Sequence, residues 1–198
     1  MQDIIKQGQN KNLTKLNLNY HGVKDGEEQA ENYLKIVNEK IGFIPNVLAA
    51  FAKFPKQFEG FTKLYNALML GESGLTKLER EMIAVTVSSE NHCFYCLVAH
   101  GAAVRELSND PQLGERLAAN FRSAELPKKQ ETLLNFSKKL TRDPSEITEN
   151  DRSNLRKAGY TDRDIWDISA IIGLFNMTNR LALATEMEPN DNYHNLAR

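Results

Sequence analysis

The chain has 198 residues, 41% hydrophobic and 26% charged, with 25 basic against 26 acidic side chains. That length suits a single domain burying about 70% of its unfolded surface, so a core forms without disulfide staples. The balance of charge, net −1, leaves no footprint for nucleic acid, a membrane surface or a polyanion. No run approaches the ~18 apolar residues of a membrane span, and the opening stretch MQDIIKQGQNKNLTKLNLNY lacks the apolar core of a secretion signal, so the reading is a cytoplasmic protein.

Residues 1–25 read as an N-terminal extension to one all-α domain spanning 1–198. Helical periodicity begins at EEQAENYLKIVNEKIG, where Tyr33, Leu34, Val37 and Ile41 share a side and Gly42 stops the helix. A short helix follows between Pro45 and Pro55. A third carries Phe58, Phe61, Leu64, Tyr65 and Leu68 and ends at Gly71. Thr76 and Glu79 form a capping box for the next, whose apolar residues Leu78, Met82, Ala84 and Val85 continue to Ser89. SSENH interrupts the pattern, and a helix resumes from Cys93 to Leu107, so residues 76–107 form a helical hairpin. In the second half, Asp110 and Pro111 start one helix, Pro127 another with Leu133, Phe136 and Leu140, and Thr148 with Asp151 a third ending at Gly159. Thr161 and Asp164 cap a long apolar helix, DIWDISAIIGLFNMTNRLALA, which brings the count to about nine. Thr161 set on Thr76 also sets Asn176 on Asn91, a shift of 85 residues in both cases. This points to a degenerate internal duplication whose second copy has no cysteines.

Cys93, Cys96 and His100, in HCFYCLVAH, fall at i, i+3 and i+7, within a sector of roughly 60° on a helix. Cys93 and Cys96 are the only cysteines in the chain. A disulfide between them closes too short a loop to stabilise the fold, so redox or metal chemistry is the expectation. A thiol reacts as thiolate, and a helix N-terminus together with an imidazole one turn away lowers its pKa. Cys96, at i−4 to His100, is therefore the better activated sulfur, and Cys93 is placed to resolve its oxidised form as a disulfide. Two other readings stand beside this one. Tetrahedral zinc needs a fourth ligand, and His92 is awkwardly adjacent while His21 and His194 are remote. Two inert buried cysteines fit the spacing alone. Glu81, among Leu78, Met82, Ile83 and Val85, reads from the residues as an ordinary solvent-facing glutamate; buried beside His100 it would instead orient the imidazole.

The run EMIAVTVSSENHCFYCLVAH, from Glu81 to His100, resembles the AhpD-like alkylhydroperoxidase group of the carboxymuconolactone decarboxylase family, whose pattern is a glutamate, eleven residues, then CxxCxxxH. IPNVLAAFAKFP, LTKLEREMIAV and GYTDRDIWDISAIIGLFNMTNRLA are similar to its peroxidase-related branch, so the likeness covers most of 40–190. The resemblance implies an antiparallel all-helical fold and a homo-oligomer, with a hexamer or trimer favoured over a dimer. It also implies a peroxidase acting on hydrogen peroxide or organic hydroperoxides with neither metal nor cofactor. In that scheme Cys96 attacks, Cys93 resolves, and Glu81 with His100 relays protons. An external dithiol, on a lipoyl-bearing or thioredoxin-like protein, restores the pair. Tyr95 stands where AhpD has a histidine, and a phenol is a poor base at neutral pH. A thiol–disulfide oxidoreductase and a non-catalytic redox switch are the alternatives. Asn176, Asn179 and Arg180, inside the last long helix, read as a structural polar network pairing with loops or an acidic residue rather than as part of a pocket. Trp166 and Phe51, Phe54, Phe58 and Phe61 read as core or subunit interface.

Overall fold

Helices form where apolar residues recur at three and four positions, and no strand occurs among the described residues, 13–18 and 25–198, of the computed structural model. In chain order they are α1 (Glu27–Ile41), α2 (Asn46–Phe51), α3 (Pro55–Tyr65), α4 (Lys77–Glu90) and α5 (Phe94–Ser108). Then come α6 (Leu113–Asn120), α7 (Lys128–Arg142), α8 (Glu149–Lys157), α9 (Asp162–Ala184) and α10 (Asn192–Asn195). The tenth helix, a single turn, carries no apolar stripe and so leaves no sequence signal. The helix expected to run to Gly71 is α-helical only to Tyr65 and finishes as a π-turn over Asn66–Leu70. The one expected to open at Asp110 begins at Leu113, because the Asp110 carboxylate instead accepts the Gln112 N–H in a turn. Most of the 1–25 extension, His21 included, lies outside the described residues. Within 13–18, the Lys15 N–H donates to the Thr185 carbonyl at 2.9 Å.

α4 is the centre of the molecule, packed against α5, α6, α7 and α9. Met82, Ile83, Ala84, Val85 and Val87 are all fully buried, so successive positions around the helix find partners rather than one stripe. Each of the larger side chains contributes roughly 1.5–3 kcal/mol by leaving water. Its buried polar residues near the start are satisfied. The Tyr160 hydroxyl donates to Glu79 at 2.7 Å, and the Arg80 guanidinium donates to the carbonyls of Leu68, Gly71 and Leu75.

The expected Thr76/Glu79 capping box forms, and the helix starts expected at Thr148/Asp151 and Thr161/Asp164 are capping boxes too. α4 and α9, the helices related by the 85-residue shift, pack together, and Asn91 Nδ2 donates to Asn176 Oδ1 at 3.0 Å. Of the aromatic cluster, Phe51, Phe58 and Phe61 are buried, with Phe51 stacked on Phe61 at 4.3 Å, and Phe54 is partly buried. Trp166 is 73% exposed.

Candidate active site

The turn between α4 and α5 creates the site. α4 closes with the Cys93 N–H on the Ser88 carbonyl and the His92 N–H on the Ser89 carbonyl, around a left-handed residue at His92, φ 55°. This is a Schellman closure with histidine where glycine is usual. Cys93 then occupies the N-cap of α5, and Cys96 lies in its first turn. Both thiols are buried and unbonded.

α5 carries His100 one turn beyond Cys96, and α4 brings Glu81 across to it. Glu81 Oε2 lies 2.6 Å from His100 Nδ1, with the two side chains 13% and 14% exposed. The solvent-facing reading of Glu81 is therefore wrong, because α4 has no solvent face at that depth. A carboxylate only accepts, so Nδ1 is the donor to Glu81, and in the neutral ring Nε2 is the nitrogen with the lone pair. The Phe175 ring meets the imidazole edge to face at 4.6 Å and fixes its plane.

The sulfurs share a proton. Cys93 is lowered to about 7, chiefly because the Cys96 thiol donates to it; the Tyr95 and Cys96 N–H groups and the His100 ring add to this against the cost of burial. Cys96 is correspondingly raised by that donation, by burial and by the neighbouring charge, while Asn179 and Ser88 pull it down. The value near 7 thus belongs to the pair's first proton, and the sulfur that it favours as thiolate is Cys93, not Cys96 as the spacing to His100 led one to expect, because Cys96 is the buried donor of the pair. Access distinguishes the two. Cys96 lines a cavity of about 640 Å³ together with Glu81 and His100, and Cys93 does not.

The cavity walls are mostly apolar, from Ile36, Val37, Leu48, Phe61 and Phe175 among others. Tyr65 and Tyr193 also line it; burial and the charges of Glu81 and Cys96 raise both phenols, so they stay protonated and can donate. Tyr193 is held there by a C-terminal strap. Asn46 N–H donates to Asn190 Oδ1 at 2.8 Å, Asn190 Nδ2 to the Ile44 carbonyl at 2.9 Å, and the buried Arg105 guanidinium to the carbonyls of Tyr193 and Leu196. Tyr95 is no substitute for a histidine base. Burial pushes its phenol well up, and its oxygen accepts the Val47 N–H at 3.0 Å, which pins one wall.

Sequence reasoning missed Ser88, Tyr65 and Tyr193 as site residues and read Asn179 as structural only. Asn179 is fully buried: its Oδ1 accepts from Asn91 at 2.9 Å, and its Nδ2 donates to Ser88 Oγ at 3.0 Å, leaving a second N–H toward Cys96. The expected network around Asn176 and Arg180 is present, but Arg180 donates to the carbonyl and side chain of Asn176 and not to an acid. The network splits, with Asn179 serving the thiol and Asn176 serving the turn before it. The signal available was Asn179 itself, a polar residue one turn past Phe175 on an apolar helix. Among the described residues no group of three His, Cys, Asp or Glu is arranged to hold a metal. His92 is exposed, and the His194 ring lies 6.3 Å from Phe94.

The family model for carboxymuconolactone decarboxylases matches residues 55–138. No curated protein matches the chain. An uncharacterized peroxidase-related protein from Silicibacter sp. TM1040 is 54% identical, over 95% of this chain and 97% of that one, with a TM-score of 0.90. A second, from Ralstonia eutropha JMP134, described as an alkylhydroperoxidase AhpD core, is 36% identical over 94% and 97%, with a TM-score of 0.88. The debrominase Bmp8 shares the fold at a TM-score of 0.73 and 17% identity, over 95% and 97%. With Glu81, Cys96 and His100 on one cavity, Cys93 beside Cys96, and relatives 54% and 36% identical over nearly the whole chain, the chain belongs to the AhpD-like group of the carboxymuconolactone decarboxylase family.

Proposed function

We propose that the protein is a thiol peroxidase that reduces organic hydroperoxides through Cys96 and Cys93. One observation carries the reading: Cys96 and the Glu81–His100 pair face the same largely apolar cavity of about 640 Å³. Hydrogen peroxide needs no such volume, whereas pockets of roughly 300–1,000 Å³ suit ligands with a sizeable apolar body.

The pair's first proton, lost at about 7, passes to His100 Nε2, whose charge Glu81 balances. The proton left on the pair moves from Cys96 to Cys93, and the Cys96 thiolate attacks the distal peroxide oxygen; an S–O bond forms, the O–O bond breaks, and its electron pair leaves with the proximal oxygen. That oxygen takes the proton from His100 and departs as an alcohol, with the Tyr65 and Tyr193 hydroxyls positioned to donate to it. Cys96 is left as sulfenic acid. The Cys93 sulfur then attacks the Cys96 sulfur, the S–S bond forms and water leaves. A dithiol reductant returns two electrons and two protons to close the cycle.

The test is consumption of cumene hydroperoxide with a dithiol present. Wild type turns over, Cys96→Ser consumes none, and Cys93→Ser consumes about one equivalent and stops. Equal consumption by wild type and Cys96→Ser refutes the reading. Reduction of a disulfide substrate with peroxide untouched would mark a thiol–disulfide oxidoreductase instead, and one stoichiometric oxidation without cycling a redox switch. A brominated pyrrole, present in a complex of the debrominase relative, is the control for reductive chemistry on an electrophilic ring.

A further inference from the structure

α1 is the least embedded of the long helices. It packs chiefly on α3, whereas α4 is surrounded by four helices. Of its 15 residues only Ala30 and Leu34 are buried. Tyr33, Ile36, Val37, Lys40 and Ile41 recur at three and four positions, and this stripe lines the thiol cavity. The exposed members of the lining are Ile36, Lys40 and Ile41, Leu70 on the π-turn, Glu106 and Leu196, so the mouth of the cavity opens along α1. Ile36, Ile41 and Leu70 are 49%, 48% and 63% exposed, an apolar rim that an isolated surface helix has no reason to carry.

Both ends of α1 are glycines in the left-handed region, Gly26 at φ 92° and Gly42 at φ 81°. Gly26 is seated on the start of α3, where a Cβ on it would come within 3.1 Å of the Pro55 Cβ; a Cβ on Gly42 would meet nothing within 4 Å. A hydrogen bond ties the helix to the π-turn: the Tyr33 hydroxyl donates to Asn66 Oδ1 at 3.0 Å. The Tyr33 ring itself rests edge to face on Phe58 at 5.4 Å. Tyr33 and Asn66 both line the cavity.

We propose that α1 is a door to the thiol cavity, hinged at Gly26 and Gly42 and latched by the Tyr33–Asn66 hydrogen bond, and that the latch sets the size of the hydroperoxide that reaches Cys96. Glycine absorbs a change of φ and ψ at either end at little cost, so the helix tilts as a unit and keeps its own hydrogen bonds. Hydrogen peroxide passes the closed door. A guest with an aromatic or long alkyl body enters when the latch is broken. Opening uncovers the apolar stripe of α1, and an apolar body lying against that stripe draws the door shut again.

The choice of guest rests on the peroxidase reading and the door does not, so the test has two arms. In Cys93→Ser protein Cys96 is the sole thiol, and its alkylation is followed with iodoacetamide, which is small, and with pyrene maleimide, which is bulky. Tyr33→Phe keeps the ring on Phe58 and deletes the latch. A hydrogen bond of ordinary net strength is worth roughly 2–10-fold in an equilibrium, so the pyrene reagent should react faster by that factor while the iodoacetamide rate stays the same. Asn66→Asp, which keeps an acceptor for Tyr33, should match the parent. An unshifted ratio of the two rates in Tyr33→Phe overturns the door.

In the second arm, with both cysteines present, Tyr33→Phe should raise kcat/KM for cumene hydroperoxide by a similar factor and leave that for hydrogen peroxide unchanged. Normal turnover with no gain for cumene hydroperoxide overturns the size selection. A shifted alkylation ratio in a protein that consumes neither peroxide keeps the door and refutes the peroxidase, and turnover of both peroxides with an unshifted ratio does the reverse.

Discussion

α4 and α9 begin alike and end differently. Both open with a capping box, and both reach an asparagine fifteen residues after the cap, Asn91 and Asn176. At Asn91 the chain breaks, passes through left-handed His92 and starts a new helix at Cys93; at Asn176 the helix continues to Ala184. Adding 85 to Glu81 gives Trp166, and adding it to Ser88 gives Gly173. Glu81 and Ser88 are buried at the site, whereas Trp166 and Gly173 are exposed. One helical plan therefore supplies two things. The broken copy makes a helix N-terminus for the thiols, and the unbroken copy makes a rigid backing whose inner face reaches them through Phe175 and Asn179.

The largest expected effect tests what the broken copy does. Glu81→Gln keeps an acceptor for His100 Nδ1 and removes the charge. A positioning carboxylate of this kind is worth about 100-fold in rate, so kcat/KM for the hydroperoxide should fall by that order, with a changed pH profile and a stability within about 1 kcal/mol of wild type. Activity within threefold of wild type would reduce the Glu81–His100 contact to packing.

The unbroken copy is tested by Asn179→Ala. The change removes the donor that favours the Cys96 thiolate and strips partners from Asn91 and Ser88, at a cost of about 1–3 kcal/mol. Urea denaturation reads the stability. Alkylation of Cys96 against pH reads the chemistry: thiolate grows as pH rises, so losing a donor that lowers Cys96 moves its profile to higher pH. An unmoved profile with lowered stability would make Asn179 purely structural. Asn176→Ala, which loses bonds to Asn91, Thr141 and Arg180 but none to a thiol, should leave the alkylation profile where it is.

The same contrast explains what the sequence disclosed. Helix positions and caps were legible because they depend on local periodicity and on Thr-x-x-acid patterns, and Cys93, Cys96 and His100 were legible because one helix carries all three. Glu81 was legible only through the family pattern and not from its neighbours, since its face depends on whether α4 has a solvent side, and that is decided by four other helices. Asn179 lies 83 residues from Cys96, and no local rule connects them. Tyr193 reaches the cavity only because Asn46 and Asn190 clamp a strap to a turn far away in the chain. Trp166 read as core or interface, and its 73% exposure removes the core reading.

The smallest effect concerns the break itself. α4 closes on His92 at φ 55°, and α9 closes in the same manner on Glu186 at φ 48°, with the Met187 N–H on the Ala182 carbonyl at 2.9 Å. A left-handed residue with a Cβ costs about 1–2 kcal/mol, and glycine avoids that cost while adding unfolded-state entropy. Glu186→Gly should therefore gain about 0.5–1 kcal/mol, roughly 1–4 °C in Tm for a chain of this length. If His92→Gly gains as much with unchanged peroxide turnover, the two closures are equivalent and His92 serves only to turn the chain. A gain at Glu186 alone, with turnover lost in His92→Gly, would show that the imidazole beside Cys93 contributes something the backbone turn does not, and the resemblance between the two helix ends would stop at their hydrogen bonds.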